Sequence, residues 1–182
     1  MTYSQAFKYG NLVLPSALLF HYHELFDQAD DYLVWQFFFL QNTTGQETLT
    51  PNQIVALPPD WRLDEDSMKD ERWYWPVRLL KVLARLPIQS DTWLGWGHTT
   101  DNQRPFAEDT KLCGAILGEP QNIRKEGFFC HLPGGEEINF YQVIPLHREE
   151  LEYKLEHNAE ALLEKLAEAD FVVHPDRPAD LL

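Results

Sequence analysis

Tyr32-Leu33-Val34-Trp35-Gln36-Phe37-Phe38-Phe39-Leu40 is the stretch on which the fold turns. Successive side chains of a strand point to opposite faces. Here Leu33, Trp35, Phe37 and Phe39 make one face wholly apolar, and the other is broken only by Gln36. A strand apolar on both faces is a central strand that needs cover on both sides, so the pattern predicts a layered domain. The polar cluster Asp27-Gln28-Ala29-Asp30-Asp31 separates this run from Leu18 to Leu25, and the pair reads as a hairpin. A helix competes for Leu18 to Phe26, but β-branched or aromatic density beside a five-residue turn favours strand.

Working outward, the turn Asn42-Thr43-Thr44-Gly45 leads to a third strand, Gln53 to Leu57, stopped by Pro58-Pro59. Asp64-Glu65-Asp66-Ser67 is rich in N-cap residues and predicts the start of a helical turn. The main helix of this region is predicted from Pro76 to Leu86, with Pro76 in its first turn and Val77, Leu80, Leu83 and Ala84 on one face. Pro87 is expected to stop it. Ser90 to Thr110 reads as one long irregular stretch, a length that is usually functional or disordered in a small domain. Strands follow at Lys111 to Leu117, Gly127 to Leu132 and Glu137 to Ile144, the last two joined by Pro133-Gly134-Gly135, with an antiparallel meander expected. In Arg148 to Ala169, Leu151, Leu155, Ala159, Leu162 and Leu166 recur at spacings of 4, 4, 3 and 4, a helical stripe. Asn158 tolerates the left-handed conformation and permits a break into two helices. Phe171-Val172-Val173 is a last short apolar run before Pro175. The fold class expected is α+β: a mixed, mostly antiparallel sheet with helices packed against it, one domain over residues 1–182. Leu33, Val34, Trp35, Phe37, Phe39, Leu80, Leu83, Phe140 and Leu162 are the expected core.

Composition narrows the function. A chain of 182 residues with 44% apolar and 24% charged side chains is ordinary globular protein, neither disordered nor fibrous. Fifteen Lys plus Arg against 29 Asp plus Glu give a net charge of −14. That field repels phosphate backbones and anionic membranes and steers a basic partner inward, so neither nucleic acid nor membrane is expected as a ligand. No stretch approaches the roughly 18 to 20 apolar residues of a spanning helix. Only Lys8 precedes the short patch Leu12-Val13-Leu14, which Pro15 interrupts, so a cytoplasmic protein is expected. Cys113 and Cys130 show no metal-ligand spacing and read as reduced, packed thiols.

No chemistry-bearing motif stands out. His21 and His23 at i and i+2 share one strand face and offer two metal ligands, but His98, Cys130-His131, His147 and His157 supply no recognised third. Neither cysteine sits at a helix N-terminus, and no Gly-x-Ser-x-Gly is present. Gly95-Trp96-Gly97 lacks the spacing of a phosphate loop and reads as a turn with positive φ in which Trp93 and Trp96 cover the core. Among the paired carboxylates, Asp64-Glu65-Asp66, Glu136-Glu137 and Glu149-Glu150, most read as solvated faces. No catalytic residue, metal or cofactor is assigned.

Several blocks in one order carry a resemblance: Leu57-Pro58-Pro59-Asp60-Trp61-Arg62-Leu63; Tyr74-Trp75-Pro76-Val77-Arg78-Leu79-Leu80 through Pro87; Asp91-Thr92-Trp93-Leu94-Gly95-Trp96-Gly97-His98-Thr99; Pro105-Phe106-Ala107 with Thr110-Lys111-Leu112-Cys113; and Glu137 to Leu146 running into Glu149 to Leu155. With Ala161-Leu162-Leu163, Val172-Val173 and Asp176-Arg177-Pro178, they resemble the suppressor of fused domain in its short single-domain bacterial form, from about Ile54 to Pro178. Residues 1–17 have no clear counterpart. The large eukaryotic members clamp a transcription-factor peptide between two domains, and this chain is too short for the second. The resemblance implies a compact α+β domain without cofactor or catalytic residues that binds protein, and short bacterial members look like immunity proteins that neutralise polymorphic toxins.

The reading is therefore a non-enzymatic, cytoplasmic protein-binding module, an immunity-type inhibitor of a basic toxin, with Asp64, Glu65 and Asp66, or the loop around Trp96, His98 and Asp101, contacting the partner. The alternatives are a small metal-dependent hydrolase using His21 and His23, and a regulatory homodimer built on sheet edges. The core assignment predicts that Trp35→Ala costs about 3 to 5 kcal/mol of stability. An unchanged melting temperature would refute it.

Overall fold

The computed structural model describes residues 33–34, 52–121, 125, 128–131, 137–167 and 171–179. Strands are β1 (Leu33–Val34), β2 (Asn52–Ala56), β3 (Thr99–Asp101), β4 (Gly114–Gly118), β5 (Phe129–His131) and β6 (Glu137–Leu146). Helices are α1 (Glu71–Gln89), α2 (Arg148–Glu156) and α3 (Ala159–Leu166), with a 3-10 turn at Ser67–Lys69 where the acidic N-cap cluster predicted one. The sheet runs β1-β2-β6-β4-β3, with β5 also on β6. Among the described strand pairs, β2 and β6 run parallel and the others antiparallel. This is the mixed, mostly antiparallel α+β architecture expected.

β6 is the hub. Its N-terminal half pairs with β5, its middle with β2, and its C-terminal half with β4. Period-two alternation then sorts the core into two layers. Ala115, Leu117 and Val143 face Leu79, Leu80 and Leu83 of α1, whereas Ile116, Ile144 and Leu146 face Leu151, Leu162 and Leu166 of α2 and α3. Leu80, Leu83, Phe140 and Leu162 are buried as expected. Gln142 is buried on the same strand because its amide is satisfied, its Oε1 accepting from the Gln121 N–H at 2.8 Å and its Nε2 donating to the Phe171 carbonyl at 3.1 Å. The predicted hairpin strand Leu18 to Leu25, most of Tyr32 to Leu40, and the side chains of Trp35, Phe37 and Phe39 lie outside the described residues.

The structure corrects four expectations. Helix α1 starts five residues before Pro76 and continues past Pro87, so neither proline bounds it. A proline inside a helix costs about 3 kcal/mol. Burial of Trp75, Leu79, Leu80 and Leu83 contributes roughly 1.5 to 3 kcal/mol each and outweighs that loss. Asp70, whose carboxylate accepts from the Arg72 N–H at 3.0 Å, is the N-cap that was overlooked. The stretch from Ser90 to Thr110 is not wholly irregular, because Thr99–Asp101 pairs with β4. The three later strands form no meander: β4 lies against β6 rather than β5. The C-terminal helix does break at Asn158, but with Asn158 extended and its Oδ1 accepting from the Ala161 N–H at 2.8 Å, an N-cap rather than a left-handed turn. That redirection takes Leu155 out of the predicted stripe and leaves it 76% exposed.

Beyond α3 the chain is strapped back over the sheet. Val172 bridges Ala56 in parallel, the Val173 N–H donates to the Ala56 carbonyl at 2.9 Å, and the Thr110 hydroxyl donates to the Pro175 carbonyl at 2.6 Å. Arg177 then grips Glu150 with both terminal nitrogens, Nη2 at 2.7 Å, and also donates to the Pro145 carbonyl. Glu150 is fully buried and accepts a third bond from the His147 N–H at 2.7 Å, while the His147 ring donates from Nε2 to the Arg177 carbonyl at 2.7 Å. Removing one partner of a buried pair strands the other charge. Arg177→Met is accordingly expected to destabilise the protein by about 3 to 5 kcal/mol in urea unfolding, and Arg177→Met with Glu150→Leu to recover much of that loss; equal losses in both variants would show that the pair is not the source.

Candidate functional site

The connection from α1 to β3 is fixed by four local constraints. Asp91 takes a left-handed φ of 46°, turning the chain out of the helix, and the Thr92 N–H donates back to the Pro87 carbonyl at 3.0 Å. Leu94 is buried in the α1 layer and anchors the middle of the loop. Gly97 has φ of 74°, a conformation that favours glycine, and its N–H donates to the Leu117 carbonyl at 2.7 Å. The Leu117 N–H in turn donates to the His98 carbonyl at 3.0 Å, so the loop is stitched to β4 before β3 begins.

Two aromatic side chains stand out from this fixed loop. The Trp93 indole lies over Gly95, where a Cβ would come within 2.6 Å of the ring, and packs against the His98 imidazole at 4.2 Å between centroids. Trp93 is nevertheless 68% exposed and Trp96 45% exposed. The reading in which both cover the core is therefore corrected: Leu94 between them goes inward and they do not. On its other side the loop rests on α3, where a Cβ on Gly97 would meet that of Ala159 at 2.8 Å.

Asp101, at the end of β3, takes both Arg148 terminal nitrogens at 2.6 and 2.8 Å and a backbone N–H from Gln103 at 2.7 Å. The Arg148 hydrogen bonds, then the Gln103 bond, hold its carboxyl below the ordinary aspartate value of 3.8, and the same pairing raises Arg148. The pair ties β3 to the first residue of α2. Nearby, burial pushes the Cys113 thiol up, only partly offset by Arg148; Cys113 is a buried free thiol as expected, and the side chain of Cys130 lies outside the described residues.

Trp96, His98 and Asp101 are thus brought onto one loop and strand at the β3 end of the sheet. Asp64, Glu65 and Asp66 belong to a different connection, between β2 and α1. The Asp64 carboxylate accepts from the Ser67 hydroxyl at 2.6 Å and the Ser67 N–H at 2.9 Å, which lower its pKa, and Asp66 pairs with Lys69 at 2.8 Å in full solvent. Glu65 is exposed. Trp93 was missed as a site residue; its signal was glycine two positions on, which leaves room for an indole to lie on the backbone. Among the described residues no group of three or more His, Cys, Asp or Glu could hold a metal ion, and no helix is long and apolar enough to cross a membrane. His21 and His23 lie outside the described residues.

A family model described as Suppressor of fused protein (SUFU) matches residues 54–178. Among solved structures, the chain is similar to the Sufu-Fu complex (TM-score 0.55, 16% identity, covering 79% of this chain and 62% of that one). It is similar to Drosophila Suppressor of Fused (0.53, 18%, 71% and 31%) and to a SUFU homologue from Neisseria gonorrhoeae (0.53, 14%, 90% and 94%). The chain therefore spans less than two thirds of the first two, and nearly all of the bacterial homologue. No curated protein matches.

The Asp101 pairing sets a pH dependence. The folded carboxyl binds its proton less tightly than the unfolded one, so the contribution to stability is present above about 3.8 and fades as pH falls through the lower folded value. The stability difference between wild type and Asp101→Asn is expected to be small, salt-sensitive and constant at neutral pH, and to disappear on acidification below that point. A difference that grows in acid would contradict the assignment.

Proposed function

Because the chain belongs to the suppressor of fused family, we propose that it is a non-enzymatic protein-binding module, acting in the cytoplasm as an immunity-type inhibitor of a basic toxin. The observation that carries this reading is the fixed loop that holds Trp93 and Trp96 in solvent. Exposed tryptophans on a constrained backbone are suited to an interface, because they bring large contact area and lose little freedom on binding. The net charge of −14 supports a basic partner, which it would attract from a distance. The solved complex of Sufu with Fu shows this fold associated with another protein in a relative. Trp96 and His98 form the contact surface in this proposal, Asp101 contributes as half of an ion pair, and Asp64, Glu65 and Asp66 add a second acidic contact.

The test is capture from native host lysate with the tagged full chain, washed at low and then high salt and read by mass spectrometry, followed by assay of the captured protein with and without the module. One basic partner, released by salt and losing its activity when bound, is the expected result. A partner that stays fully active when bound would remove the inhibitor reading. Recovery of only copies of the chain itself would favour the homodimer instead.

A further inference from the structure

Three half-buried aromatic rings elsewhere in the protein show what the Trp93 and Trp96 loop lacks. Trp73 carries the guanidinium groups of Arg62 and Arg72, each 5.4 Å from its ring centre. Tyr74 carries the Lys81 ammonium at 5.1 Å, and Tyr153 that of Lys165 at 5.2 Å. Among the described residues no cation lies over Trp93 or Trp96, although these two rings are 68% and 45% exposed. Arg148, whose side chain is tied to Asp101 at the far end of β3, is already committed to a carboxylate. The loop thus presents two exposed indoles without a cation, whereas the half-buried rings of Trp73, Tyr74 and Tyr153 each carry at least one.

The surroundings suit a positive charge. Gly97 abuts Ala159, and the exposed residues at that corner between α2 and α3 include Glu156 and Glu160. The whole molecule carries −14, which disfavours a second copy of the chain or an anionic membrane at this surface and favours a cationic segment. Arginine fits best: its planar guanidinium stacks flat on an indole and is more weakly hydrated than an ammonium. The Trp93 ring already packs with Gly95 beneath it and His98 beside it, so less freedom is lost on binding.

We infer that Trp93 and Trp96 form a cation-stacking platform that takes arginine side chains of an extended basic segment on the partner protein. This rests on the protein-binding reading above and adds the chemistry of the contact. The test is a titration of the 15N-labelled full chain with a peptide of alternating glycine and arginine at low salt, following the six indole N–H resonances, assigned through Trp93→Phe and Trp96→Phe. A second titration uses the same peptide with citrulline, the neutral isostere, in place of arginine. The Trp93 and Trp96 resonances are expected to move and saturate with arginine only, and Trp93→Ala with Trp96→Ala to weaken binding about tenfold.

Equal shifts with citrulline, or Trp93 and Trp96 resonances that stay in place while the peptide binds, would overturn the platform. The two proposals fail separately. A lysate partner retained at full affinity by the double alanine variant overturns the platform and leaves the binding module standing. Arginine-selective shifts without any lysate partner support the platform and count against the module reading. Both side chains are solvent-exposed, so the variants are expected to fold, and the citrulline comparison decides the matter on the unaltered protein.

Discussion

Everything in the described structure hangs on the edges of β6. A strand inside a sheet must satisfy backbone groups on both sides, and β6 does so with three different partners along ten residues. The parallel pairing with β2 requires a long crossover, which the chain makes through α1, β3, β4 and β5. With β6 in the middle, alternation along it fixes which side chains meet α1 and which meet α2 and α3. A one-residue slip would exchange the two layers and put Gln142 and its two hydrogen bonds on the wrong face.

The C-terminal strap adds to both layers. Val172 and Val173 pair with Ala56 beside β2, Phe171 packs into the second layer and Val173 into the first, and the Arg177–Glu150 pair secures the end. Burying a carboxylate costs several kcal/mol unless its lone pairs are taken up. Glu150 meets that condition with a bidentate guanidinium and the His147 N–H, and the same contacts place the start of α2 at the end of β6. One charged cluster thereby positions helix, strand and tail together.

The candidate site grows from the same frame. Its loop is bonded to β4, rests on α3 and is anchored in the α1 layer by Leu94, so its geometry is inherited from both core layers. The Asp101–Arg148 pair links the adjoining strand to α2. Trp93 and Trp96 are left outside while Leu94, between them, is the one the core has taken. Exposure here results from a rigid backbone rather than from a lack of structure.

The amino-acid order by itself determined the α+β class, the strands around Ile54, Ile116 and Phe140, the apolar face of the long helix and the possibility of a break at Asn158, because each rests on local periodicity or a local cap. The family was legible too, through blocks spread from Ile54 to Pro178. The site was legible only in part: the loop with Trp96, His98 and Asp101 was marked by its glycines and its length, but the direction of each side chain was not. Only the tertiary structure decided that α1 runs through two prolines, that β4 pairs with β6, that Leu155 and Trp93 face solvent, and that Arg177 reaches Glu150. Those outcomes depend on contacts between residues far apart in the chain, where the gain from burial outweighs local preference and no local pattern records it.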